Sequence, residues 1–175
     1  FAAIGGKELT RLERLVGEFL TFARPHEPAL RPTDIPEIVG RVAALLRSEA
    51  ERKGVTFAFE RPVLLPPVSL DPELITQVMF NVVLNAVQAT GAGGQVRIRE
   101  SSEPGWAVID VIDEGPGIPL EHALRIFDPF FTTKPRGTGL GLAISQRIVT
   151  AHRGTIEALP GVSSGSIFRI RLPLP

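Results

Sequence analysis

The chain has 175 residues, 43% of them hydrophobic, with 19 basic and 19 acidic side chains. That is enough for one good core with a smaller appendage, without the basic surplus that nucleic acid attracts. The absence of Cys removes disulfides, zinc thiolates and thiol nucleophiles together and is compatible with a reducing cytosol.

No apolar run approaches the ~20 residues of a membrane span. The start, Phe1 to Lys7, has neither an initiator Met nor a signal-peptide pattern, so the chain reads as an excised piece of a longer protein. From Gly6 to Ala23, Leu9, Leu12, Val16, Phe19 and Ala23 recur at helical spacing with charges on the other faces, a seam that wants a partner helix. Arg24-Pro25 ends it, and His26 to Pro32 reads as a proline-punctuated linker. A second amphipathic helix begins at Thr33 or Asp34 and stops at Lys53-Gly54. Val55 to Glu60 alternates like a strand, and Pro66 to Leu70 is a short edge-like strand.

Asp71 to Thr90 reads as one long helix. Asp71 can cap it, Pro72 fits the first turn, and Gly91 lies past its end. Leu74, Ile75, Val78, Met79, Val82, Val83, Ala86 and Val87 form a broad apolar face, interrupted by Asn81 and Asn85 one turn apart on the same side. A buried amide left unpaired costs roughly 1–3 kcal/mol. On this helix alone, bonds to neighbouring backbone account for the pair as well as a ligand does. Downstream, Gln95 to Glu100 and Trp106 to Ile112 read as an antiparallel pair joined by Ser101 to Gly105. A helix from about Gly141 to His152 and strands at Gly154 to Ala158 and Ser166 to Leu172 close the chain.

Asp113-Glu-Gly-Pro-Gly-Ile118 follows directly on a strand. Gly115 and Gly117 let a flat ligand approach closely, and Asp113 can accept hydrogen bonds in a cavity; taken alone, the stretch reads better as an ordinary tight turn with an Asp for its local bonds. Between Arg125 and Leu142, Phe127, Phe130 and Phe131 sit among Pro129, Pro135 and Gly137, where no regular element is expected. A long irregular loop of this kind commonly serves as a lid. It ends in Gly137-Thr-Gly-Leu-Gly141 at a helix start, whose free N–H groups suit phosphate. Lys134 and Arg136 lie just upstream.

Taken in order, Asn81 with Asn85-Ala86, Asp113 with Gly115 and Gly117, Phe127 with Pro129-Phe130, and Gly137 to Leu142 resemble the boxes of the ATP-binding catalytic domain of sensor histidine kinases. That family lies within the wider gyrase, heat-shock chaperone, kinase and mismatch-repair superfamily. The seam from Leu12 to Pro25 resembles the second helix of those kinases' dimerisation and phosphotransfer domain. The resemblance implies residues 1–27 as the end of that helix with its linker, and 28–175 as the catalytic domain. The implied fold is an α/β (α+β) two-layer sandwich of the Bergerat ATP-binding type. In it a mixed, mostly antiparallel sheet packs on helices, with ATP or ADP between the helix layer and a mobile lid.

By the same resemblance Asn85 coordinates Mg²⁺ bridging the phosphates, Asn81 lies near them, and Asp113 receives the adenine amino group. Gly115 and Gly117 make room for the base, with Ile118, Phe127 and Ser166 also at the nucleotide. Thr133, Lys134, Gly137, Thr138, Gly139, Leu140, Gly141 and Leu142 surround the phosphates. The chemistry agrees: Mg²⁺ takes hard oxygen ligands and keeps several waters, and a carboxylate suits an amino donor but repels phosphate. Implied partners are ATP, the dimerisation and phosphotransfer domain of the same kinase, and a response regulator receiver domain. The parent is expected to be a cytoplasmic homodimer, whether or not it is membrane-anchored.

Two departures stand out. His26, His122 and His152 match no phosphoacceptor pattern and read as linker and surface helix residues, so the acceptor is expected on a preceding helix. Gln88 stands where many relatives carry a phosphate-assisting Lys, a charge that Lys134 or Arg136 can supply instead. Two other functions are weighed: a conformational ATPase of the superfamily, and an anti-sigma-type serine kinase. The first typically needs a Glu at Asn81 to activate water, and an amide cannot act as a general base. The second has no dimerisation helix in front.

Overall fold

The computed structural model describes residues 27–134, 137–161 and 164–175. The expected helix over 6–23, the domain boundary after residue 27, His26 and Arg136 therefore rest on, or border, residues outside that set. The described elements in chain order are β1 (Arg31–Thr33), α1 (Ile35–Lys53), β2 (Thr56–Glu60), β3 (Val68–Leu70), α2 (Pro72–Ala89), β4 (Gln95–Glu103) and β5 (Trp106–Ile112). They continue with α3 (Leu120–Ala123), α4 (Gly141–Ala151), β6 (Thr155–Pro160) and β7 (Ser166–Pro173). Five strands form one sheet in the order β2-β4-β5-β7-β6. Only the β2–β4 pair is parallel, because α2 crosses over between them; the other three pairings are antiparallel.

The helix layer covers one face of that sheet. Ile35, Ile38, Val39, Val42 and Leu46 of α1 are buried at helical spacing. On α2, Ile75, Val78, Met79, Val82, Val83, Ala86 and Val87 are likewise buried, with Leu74 half-buried. α2 packs between α1 and α4, so it is the central helix of the layer. The sheet meets it with Val96 and Ile98 of β4, Ala107, Ile109 and Val111 of β5, and Phe168, Ile170 and Leu172 of β7, the period-2 set of one face. The alternate residues pair as charges on the other face. Arg169 forks onto both carboxylate oxygens of Asp110 at 2.7 and 2.8 Å, and Arg99 reaches Glu60 at 2.8 Å.

Local chemistry explains the boundaries. Asp71 Oδ1 accepts from the N–H groups of Glu73 and Leu74 at 3.0 and 3.1 Å, an N-cap. α1 stops where Gly54 turns its N–H back to the carbonyls of Ala50 and Glu51.

Three expectations are corrected. Arg31 and Pro32, read as linker, and Thr33, read as a candidate helix start, form a strand paired antiparallel with β3, Pro32 opposite Ser69. A three-residue element of this kind exists only through its partner, so local pattern cannot reveal it. β4 runs to Glu103 instead of ending at Glu100, and the hairpin turns on Pro104-Gly105 alone, with Glu103 opposite Trp106. His152, expected on the surface, is buried: its Nε2 accepts from the Asp71 N–H at 2.9 Å and its Nδ1 pairs with the Ile148 carbonyl at 2.8 Å. His122 sits on α3 and is only partly exposed.

Candidate nucleotide site

Asn81, Asn85 and Gln88 fall at i, i+4 and i+7 on α2, one stripe of the helix surface beside its apolar face. Asn81 and Asn85 are half-buried and Gln88 is exposed. Asn81 Nδ2 donates to the Gly141 carbonyl at 3.1 Å and meets Ser145 Oγ at 3.4 Å, while the Ser145 hydroxyl donates to the same carbonyl at 2.9 Å. This triangle holds the first turn of α4 against the stripe. One turn further on, Asn85 Oδ1 accepts from Lys134 Nζ at 2.7 Å and Gln88 Oε1 accepts from it at 2.6 Å.

A second ammonium closes the end of α2. Lys53 Nζ donates to the carbonyls of Val87, Gln88 and Thr90 at 3.0, 2.7 and 3.0 Å, where the helix leaves carbonyls unpaired and its dipole end is negative. Lys134 is an exposed residue whose ammonium is drawn onto the helix by its two bonds to Asn85 and Gln88. Desolvation, followed by the charge of Lys53, holds its pKa below that of an ordinary lysine.

Asp113 leaves the end of β5 with 2% of its surface exposed. Its N–H donates to the Ser166 carbonyl at 3.0 Å, and its Oδ1 accepts from the Gly115 N–H at 2.8 Å. Burial pushes the carboxyl's pKa up, opposed by the Gly115 N–H and by the backbone and hydroxyl of Ser166. Gly115 cannot be replaced without displacement, since a Cβ there would lie 2.8 Å from Asp113 Oδ1 and 2.9 Å from the Ala89 carbonyl oxygen. The Asp113 turn thus touches Ala89 while Lys134 touches Asn85 and Gln88, so both groups of residues line the last turns of α2. Glu114 ties the turn to the start of β4, its Oε2 accepting from the Gln95 N–H at 3.0 Å.

The connecting loop is pinned at several points. Ile118 and Phe127 are half-buried against the core. The Phe131 ring meets His122 edge-on at 5.4 Å and carries the Arg125 guanidinium 4.8 Å from its centre. Phe130, at φ 66°, donates its N–H to the Gly139 carbonyl at 2.9 Å. Gly139 is itself left-handed at φ 69°, and a Cβ there would lie 2.3 Å from the Phe130 carbonyl carbon, so only glycine fits. Thr132 Oγ1 accepts from the Lys134 N–H at 3.1 Å, and Gly137 donates its N–H to the Lys134 carbonyl at 3.0 Å. Thr133 is exposed, and Thr138 Oγ1 accepts from the Leu140 N–H at 3.3 Å.

Not every expected residue presents its side chain to this crevice. Leu140 is fully buried in the main core and Leu142 packs against it, so their side chains belong to the core. At Gly141 the nearest atom to an added Cβ is Asn81 Cγ at 3.6 Å, ordinary contact, so its position is not forced by crowding. Ser166 bonds Asp113 through its backbone carbonyl, and Gly117, at φ 83°, lies against Gly165, whose carbonyl oxygen would be 3.1 Å from a Cβ there. Sequence reasoning missed Lys53 and Ser145 and left Gln88 out of the site. Gln88 was accessible from its i+3 spacing to Asn85; Lys53 and Ser145 act on elements distant in sequence and carry no local signal.

Among the described residues no group of three or more His, Cys, Asp and Glu could cage a metal ion. Asn85 Oδ1, however, is a hard oxygen already receiving a cationic group, which suits Mg²⁺ completed by water and phosphate oxygens. No helix among the described residues is long and apolar enough to cross a membrane.

Residues 70–175 match the family described as histidine kinase-, DNA gyrase B-, and HSP90-like ATPase. The chain is 36% identical over 173 residues to the sensor histidine kinase ZraS of Escherichia coli strain K12, covering 99% of this chain and 37% of ZraS. Among solved structures it resembles full-length ShkA in complex with AMPPNP, with a TM-score of 0.84 and 33% identity over 93% of this chain and 35% of ShkA. It is equally similar, at a TM-score of 0.84 and 31% identity, to histidine kinase ThkA in complex with the response regulator TrrA, covering 98% of this chain and 50% of that one.

Proposed function

The chain belongs to the histidine kinase-, DNA gyrase B-, and HSP90-like ATPase family, as an ATP-binding catalytic domain of the sensor histidine kinase kind, and from that premise we propose that it binds Mg-ATP or ADP along the last turns of α2. In the whole protein it donates the γ-phosphoryl group to a histidine of the dimerisation domain, for relay to a response regulator aspartate. Residues 1–27 belong with that dimerisation unit and 28–175 with the catalytic domain; the parent is a homodimer working in the cytoplasm, where ATP is available.

One observation carries the reading. A desolvated carboxylate, Asp113, is held by the Gly115 N–H in a turn pressed against Ala89, and a lysine ammonium, Lys134, bonds Asn85 and Gln88, so the two charges lie within a few residues of each other along α2. That polarity complements a nucleotide, whose base offers an amino donor and whose other end is anionic. Asp113 accepts from the adenine amino group while Gly115 and Gly117 leave room for the ring, flanked by Ile118, Phe127 and Ser166. Asn85 offers its oxygen to Mg²⁺, which when bound neutralises phosphate charge. Lys134, Thr133, Thr138 and the backbone of Gly137 to Leu142 face the phosphates, and Asn81 holds α4 in register with them.

Phosphoryl transfer then needs positioning and charge neutralisation more than a nucleophile from this domain. The bond from the γ-phosphorus to the bridging oxygen breaks, one from an imidazole nitrogen of the acceptor forms, and ADP leaves. Asn81 cannot take a proton from water, and its amide already donates to Gly141. His152 has both ring nitrogens engaged, so neither residue supports hydrolysis or self-acceptance. Incubated alone with labelled ATP, the chain should show little stable label and slow hydrolysis. Given in trans a fragment bearing the acceptor histidine, it should yield an acid-labile, base-stable phosphoryl product, inefficiently for want of a covalent tether. Rapid ATP turnover without an acceptor would replace this reading with a conformational ATPase.

A further inference from the structure

Resting on that reading of the crevice, we infer that Gln88 is a positioning residue that seats Lys134 so that the loop, and not the helix, delivers the cation to the phosphates. Lys134 Nζ bridges two side-chain oxygens of α2, at 2.6 Å to Gln88 and 2.7 Å to Asn85, across 46 and 49 residues of sequence. Both acceptors are neutral amides. A carboxylate there would lock the ammonium in an ion pair; an amide holds it by a weaker bond that an anionic phosphate can outcompete.

The rest of the end of α2 is arranged around the same demand. The carbonyls of Val87 and Gln88, and of Thr90 just beyond the helix, are already taken by Lys53, so these three do not compete for Lys134. The positive charge of Lys53 also discourages Lys134 from settling deeper at the helix end. The other oxygen of the seat, on Asn85, is the one proposed for the metal ion. An ammonium and a divalent ion repel one another on a shared oxygen, so occupation of Asn85 leaves Gln88 as the remaining anchor, with Lys134 still beside the phosphates. Gln88 is exposed on the last turn of α2, so changes to it do not disturb the core.

The test is calorimetric titration of the non-hydrolysable analogue AMPPNP with Mg²⁺ into the wild type, K134M, Q88A and the double variant K134M/Q88K. It is coupled to hydrogen exchange at Phe131 to Lys134 in the nucleotide-free proteins. K134M should lose about tenfold in affinity, as expected for removing a charge-assisted contact. Q88K should restore most of that loss in the K134M background by mounting the ammonium on the helix. Q88A should bind a few-fold more weakly and speed exchange of the Phe131 to Lys134 amides in the empty protein. A double variant no tighter than K134M, or Q88A with wild-type exchange, would overturn the inference. Failure of the wild type to bind nucleotide would instead overturn the site reading, while the exchange comparison would still decide whether Gln88 seats Lys134.

Discussion

The two ends of the crevice along α2 are built from different materials. At the Asp113 end the contacts are backbone-fixed: a backbone hydrogen bond to Ser166, a carboxylate held by the Gly115 N–H, and a turn pressed so closely on Ala89 that no side chain fits at Gly115. At the Lys134 end the contacts to the helix are made by side chains alone, between exposed and half-buried groups. A base is the same in ATP and ADP, so the base contact proposed for the Asp113 end gains by being preorganised. In the proposed assignment the Lys134 end accepts three phosphates and releases two, which favours groups that can let go. Rigidity and adaptability are thus separated within one helix by less than two turns.

The largest effect expected of breaking this contrast is at the rigid end. Replacing Asp113 with Ala should weaken ATP binding about 100-fold and abolish the preference over GTP, which presents a carbonyl where ATP presents an amino group. Competition titrations with both nucleotides measure it, and an equal loss for the two would make Asp113 purely structural. At the adaptable end the loss should be smaller and conditional. Asn85→Ala should remove the Mg²⁺-dependent part of the affinity, about tenfold, and leave metal-free binding nearly unchanged. Titration with and without Mg²⁺ separates these, and an unaltered metal response would take Asn85 out of the site.

The smallest effect sharpens the comparison by its sign. Asp113's carboxyl has a pKa above its ordinary value in the folded chain, chiefly from desolvation. The unfolded chain therefore binds fewer protons between the two values, and stability falls as pH rises through that window, while adenine binding through the proposed carboxylate contact should improve. Asp113→Asn keeps an oxygen for the Gly115 N–H but removes the charge. It should raise the melting midpoint at neutral pH, flatten the acid-side dependence of stability, and weaken ATP binding. A variant that melts earlier and keeps the wild-type slope would show that burial of this charge is not what perturbs it.

Most of the architecture was legible because its elements carry their own periodicity. The apolar face of α2, its Asp71 cap, the alternation of β4 and β5, and the glycine turn after β5 are local patterns, repeated over enough residues to outweigh competing local conformations. The four boxes were readable because each places a distinct chemical type at a fixed spacing. Where local signal was short or equivocal, reading failed: β1 has no alternation of its own, and His152 offers nothing to distinguish a surface helix residue from the buried acceptor of an N–H at the start of α2.

By itself, then, the sequence determined that a buried helix carries two amides, that a carboxylate follows a strand, and that a glycine run opens the last helix, because those are properties of residue type and spacing. Only the tertiary structure decided which residues meet. Lys134 seated on Asn85 and Gln88, Lys53 closing the end of α2, and Asn81 tied to Gly141 and Ser145 each join groups at least 34 residues apart. The direction of a flexible side chain over such a span is set by the packing of α2 against its neighbours, which no window of sequence contains.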